Sequence, residues 1–151
     1  MSIIRRLARP LLAASFVWGG IDTLRDPGPR VGMAEDVAPR IAEPLPLPNE
    51  TDQLVKINAA AQVVAGVLLA VGRMPRLAAC TLAGSLVPTT LAGHRFWEIE
   101  DETQRAQQQI HFLKNVGLLG GLLLAAVDSG GAPSVAWRVK RAARNAARTA
   151  S

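Results

Sequence analysis

His111, Lys114 and Asn115 stand at i, i+3 and i+4 in HFLKNVGLLGGLLLAAVD, and only Leu, Gly, Ala and Val follow them until Asp128. That spacing gathers an imidazole, an ammonium and an amide on one face of a helix. Beside an apolar wall, such a set can donate hydrogen bonds to a carbonyl oxygen and exchange a proton with it. Three other stretches carry comparable stripes: Asn58, Gln62 and Gly66; Thr81, Ser85 and Thr89, with Pro88 alongside; and Ser15, Trp18, Gly19 and Asp22. His94, the second of two histidines, follows the third stripe.

Each stripe lies on an apolar segment. Residues 7–24, 54–72, 77–93 and 110–127 are the four such segments in the chain. Each approaches the ~20 residues that cross a hydrocarbon core as a helix. A soluble helix of this length should show a charged outer face, and the middles of these segments show none. The expected fold is therefore all-α, an integral membrane four-helix bundle formed by residues 1–132. A soluble bundle is the alternative.

Charge placement gives the expected orientation. The N-terminus, the 73–76 turn and the tail hold ten bases: Arg5, Arg6, Arg9, Arg73, Arg76, Arg138, Lys140, Arg141, Arg144 and Arg148. The longer connections, 25–53 and 94–109, hold five arginines against ten acids. Basic segments stay in the cytoplasm, so both termini are expected inside a multi-pass plasma-membrane protein. Residues 133–151 read as a basic cytoplasmic tail, either an amphipathic helix on the anionic leaflet or a solvated extension. Arg5, Arg6 and Arg9 before LLAASFVWGG imitate a signal peptide, but no small-x-small cleavage site follows.

The net charge of +5 raises a nucleic-acid reading. The bases cluster at segment ends without an aromatic-interleaved groove, so no nucleic-acid partner is expected. Cys80 is the only cysteine, which excludes an internal disulfide. There is no metal-ligand constellation, GxGxxG or P-loop, and Glu98 to Glu102 lack calcium-loop spacing.

With that topology the polar groups converge on the outer-leaflet half of the bundle. His111 and Lys114 are the expected catalytic residues. Asp22, Trp18, Asn58, Gln62, Thr89, His94 and Asn115 are the expected pocket lining. Asp22 is expected to pair with Lys114 or Lys56. A quinone headgroup suits such a pocket, since its oxygens need donors and its ring needs a wall that Trp18, Phe96 and Phe112 can supply. The competing reading is purely architectural, with the polar groups locking four helices together. Gly117 and Gly121 form a GxxxG, expected to admit a close neighbouring backbone.

Three stretches, RPLLAASFVWGGIDTLRDP, AAQVVAGVLLAVGRMPRLAACTLAGSLVPTTLAGHRFW and QQQIHFLKNVGLLGGLLLAAVD, resemble the DoxX family of small four-span membrane proteins. The resemblance implies a membrane subunit supporting quinone-linked oxidation of thiols or sulfur compounds. It also implies partners: the lipid bilayer, a sulfurtransferase-like protein and a superoxide dismutase. An oligomer is compatible with it. Two other functions fit the same pattern, a non-catalytic scaffold that anchors cytoplasmic redox enzymes and a small-molecule transporter. Fold membership alone does not choose among them.

Overall fold

The computed structural model describes residues 3–43, 48 and 50–128. Among these, every regular element is helical. Four long helices, α1 (Ile3–Arg25), α4 (Thr51–Val71), α5 (Pro75–Gly93) and α6 (Glu102–Val127), pack side by side. Two short helices, α2 (Gly28–Ala34) and α3 (Ala38–Ala42), and a 3₁₀ turn at Phe96–Glu98 lie in the connections. The proline run at 44–47 and the tail at 133–151 lie outside the described residues.

The helices begin earlier than hydropathy predicts. Helix α6 starts at Glu102 rather than 110, because the Asp101 carboxylate accepts a hydrogen bond from the Gln104 N–H (2.7 Å). That cap satisfies one of the orphan donors of the first turn and carries the helix through a polar stretch. Helix α1 runs unbroken past Pro10. The first long connection, expected as a polar loop, holds α2 and α3, each with a proline in its first turn.

Helices α4 and α6 are long and apolar enough to cross a membrane. The outward faces of all four long helices are apolar as well, at Leu7, Leu11, Val64, Leu77, Leu113 and Leu124 among others. A water-facing surface rarely carries so much contiguous apolar area.

Antiparallel packing of α1 on α4 sets the core. Gly20 lies so close to α4 that an added Cβ would stand 2.8 Å from the Ala59 carbonyl oxygen. Reciprocally, a Cβ on Gly66 would stand 2.6 Å from Val17 Cγ2. Phe16, Leu69, Leu82 and Leu122 fill the centre of the bundle with Ala13, Ala65, Ala78 and Ala79. The close approach thus belongs to Gly20 and Gly66. The expected GxxxG is only half engaged: Gly117 has open space, and Gly121 meets Leu12.

The two ends are chemically distinct. At one, Gly72 takes the left-handed conformation (φ 74°) that closes the α4–α5 turn. There Arg5 and Arg9 pair with Asp128, and Arg76 donates to the Ala126 carbonyl. We call this the turn end. At the other, Arg30 pairs with Asp22 and Arg95 lies near Asp36, which draws the first long connection onto α1 and α5. We call this the loop end. Among the described residues, Arg5, Arg6, Arg9, Arg73 and Arg76 therefore lie at one end of the fold and the two acid-rich connections at the other.

Gly20→Ala is expected to cost about 1–3 kcal/mol, because its methyl meets a backbone carbonyl that cannot step aside. Gly66→Ala meets a side chain and should cost less. Gly117→Ala, in open space, should be neutral or stabilise α6 by up to about 1 kcal/mol. Thermal unfolding of the three variants in detergent checks this ranking.

Candidate functional site

Helix α5 organises the polar groups of the loop end. Ser85, Thr89 and Thr90 donate their hydroxyl protons to carbonyls of their own helix, at Leu82, Ser85 and Leu86. Their oxygens are left as acceptors. Thr89 Oγ1 accepts from Asn58 Nδ2 (3.3 Å) and, at the limit of a hydrogen bond, from Gln62 Nε2 (3.5 Å). Thr90 Oγ1 accepts from Asn115 Nδ2 (3.0 Å), with both residues buried. Adjacent threonines on α5 thus serve α4 on one side and α6 on the other.

Toward the loop end lies the second cluster. His94 ends α5, and its ring stacks on His111 with centroids 5.3 Å apart and planes 19° from parallel. His94 Nδ1 lies 2.6 Å from Gln108 Oε1. Lys114 Nζ lies 3.3 Å from His111 Nδ1. The 3₁₀ turn sets Phe96 edge-on to Trp97 and to Phe112, with centroids 5.2 and 5.4 Å apart. An imidazole pair with its ammonium, and a separate cluster of three aromatic rings adjacent to it in sequence, therefore both lie where α5 and α6 come together.

Of the expected site residues, this arrangement joins His94, His111 and Lys114 in one group. Asn58, Gln62, Thr89 and Asn115 bind through α5. Two expected residues lie elsewhere. Trp18 is 76% exposed on the outward face of α1. Asp22 is also exposed and pairs with Arg30, not with Lys114 or Lys56; Lys56 pairs with Asp52 one turn away. The cause is the setting of α1. Its contact with α4 runs through Ala13, Phe16, Gly20 and Thr23, so the face bearing Ser15, Trp18 and Asp22 turns outward.

The structure adds Thr90, Trp97 and Gln108 to the group. Gln108 stands at i−3 from His111 on the same face of α6, a relation the sequence shows once the helix is started at Glu102. Among the described residues, no three His, Cys, Asp or Glu side chains are placed to hold a metal ion. A groove of about 240 Å³ between α4 and α5, lined by Val64, Leu68, Met74 and Leu77, is almost wholly apolar and lies toward the turn end.

A DoxX family model matches residues 5–95, more than half of the chain. The chain belongs to the DoxX family. It is a membrane protein, in keeping with its apolar outer surface and with the family's character. No curated protein and no solved structure gives a match. The DoxX match takes in α1 to α5 and His94, whereas His111, Lys114 and Asn115 lie beyond it.

Thr90→Val leaves the buried Asn115 amide without its acceptor and is expected to lower stability by on the order of 1 kcal/mol. Adding Asn115→Leu should recover part of that loss, since the unpaired donor is then gone. A double-mutant cycle on thermal unfolding in detergent measures the coupling.

Proposed function

We propose that this DoxX protein spans the plasma membrane four times with both termini in the cytoplasm. In this reading it supports quinone-linked oxidation of a thiol or sulfur compound, with the quinone headgroup held at the α5–α6 junction of the loop end. The observation that carries the reading is the grouping of His94, His111 and Lys114 beside Phe96, Trp97 and Phe112.

The donor set fits a quinone. Lys114 has two further ammonium protons to offer a carbonyl oxygen, and the Nε2 atoms of the two histidines remain for hydrogen bonding or proton exchange. The aromatic rings supply an apolar wall for a flat ring. A quinone held there would supply the acceptor for the two electrons and two protons released when two thiols join as a disulfide. The chain's own part is to bind, to orient and to move protons through His111, while Lys114 stabilises negative charge on the ligand oxygen. The thiol or sulfur substrate must come from outside, since Cys80 has no partner cysteine in the chain. A sulfurtransferase-like protein and a superoxide dismutase are the partners of this reading.

Protein purified in mild detergent should retain menaquinone, identified by mass spectrometry of the extract. Lys114→Met should lower the retained amount about ten- to a hundredfold, the effect of losing one charge-assisted hydrogen bond, and His111→Gln about two- to tenfold, the effect of losing a neutral one. Asp22→Asn should retain it, because Asp22 lies with Arg30 away from the junction. Retention of lipid alone, with redox enzymes co-purifying, would replace this reading with that of a scaffold.

Orientation is tested separately in a Cys80→Ser background. A cysteine at position 101 should react with a membrane-impermeant maleimide in intact cells, and one at position 74 only after lysis.

A further inference from the structure

Stacked imidazoles cannot satisfy one another. Each N–H and each ring lone pair lies in its own ring plane, and the His94 and His111 planes are only 19° from parallel. Every hydrogen bond these rings make must therefore go to a third group. Each ring has one such group in the structure, and the two are of opposite character.

Gln108 presents its carbonyl oxygen Oε1 to His94 Nδ1 at 2.6 Å. A carbonyl oxygen only accepts, so Nδ1 of His94 carries a proton. In the neutral ring Nε2 is then a bare acceptor. Lys114 presents an ammonium to His111 Nδ1 at 3.3 Å. An ammonium only donates, so Nδ1 of His111 holds a lone pair and its proton sits on Nε2. No other hydrogen bond is made by either ring among the described residues.

We propose that Gln108 and Lys114 fix opposite tautomers on the stacked pair. The junction then offers a ligand one Nε2 acceptor, from His94, and one Nε2–H donor, from His111. It is matched to a planar group that carries both a hydroxyl and a carbonyl oxygen, or that exchanges one for the other. Gln108 acts as a positioning residue: it touches no ligand and works through His94. This rests on the quinone reading for the ligand class, but the tautomers stand on the geometry alone.

The protein has two histidines, so ¹⁵N-histidine labelling of the full chain in lipid nanodiscs gives a spectrum of two imidazoles. His94→Gln and His111→Gln assign them. At alkaline pH the wild type should show His94 predominantly as the Nδ1–H form and His111 predominantly as the Nε2–H form. Gln108→Ala should turn His94 to a majority of the Nε2–H form usual for free histidine. Gln108→Glu, which keeps an acceptor oxygen, should preserve Nδ1–H. Lys114→Met should lower the Nε2–H share of His111 only to that of a free ring, still a majority, and leave His94 as it was. Two Nε2–H rings in the wild type would overturn the proposal, as would a His94 tautomer indifferent to Gln108→Ala. These readings need no bound quinone, so loss of the quinone assignment and loss of the tautomer assignment are separate results.

Discussion

The contact on which the rest of this DoxX protein depends is the one between α1 and α4, where backbone meets backbone. Gly20 brings α1 so close to the Ala59 carbonyl that an added Cβ would clash with it, and Gly66 comes as close to the Val17 side chain. Close approach of this kind is how helices associate in an apolar solvent, where burying oil-like side chains gains little. It also fixes how far α1 is rotated. Every other assignment on that helix, including the outward direction of Trp18 and Asp22, follows from which face carries the glycine.

The polar layer obeys a second constraint. Amides and hydroxyls between apolar helices need partners, and the threonines of α5 supply them by using their own protons within the helix. Asn58, Gln62 and Asn115 are donors in search of acceptors, and Thr89 and Thr90 are acceptors made available. The competing architectural reading of these groups therefore holds for the layer around Thr89 and Thr90. The histidine–lysine group near the loop end is of another kind, since its ring nitrogens are only half committed.

Much of this was legible in the sequence, unevenly along the chain. The four long helices follow from composition, and the opposite charge of the two ends follows from counting bases. The stripe of Asn58, Gln62 and Gly66 does face the neighbouring helices. The stripe of α1 turns outward instead, because Gly19 and Gly20 are adjacent and only contact with α4 distinguishes them. Asp22 found a nearer partner in Arg30, on a short helix that hydropathy does not reveal. Gln108 lies outside the apolar pattern for a related reason. Apolar character begins at Ile110, whereas the helix begins at its Asp101 cap, and Gln108 lies between them. The stacking of His94 on His111 joins two elements whose register no local pattern encodes. His94 falls inside the region shared with the family and His111 outside it.

Thr89 and Thr90 are neighbours on a rigid helix, so they point about 100° apart. One faces α4 and the other α6, and a turn of α5 about its own axis carries both hydroxyls the same way. Such a twist shifts both oxygens relative to their amides at once. The two interfaces are therefore coupled in torsion. Of the two, the longer hydrogen bonds are on the α4 side, at 3.3 and 3.5 Å against 3.0 Å on the α6 side. The shorter bond joins α5 to α6, the helix that brings Gln108, His111 and Lys114 to the junction.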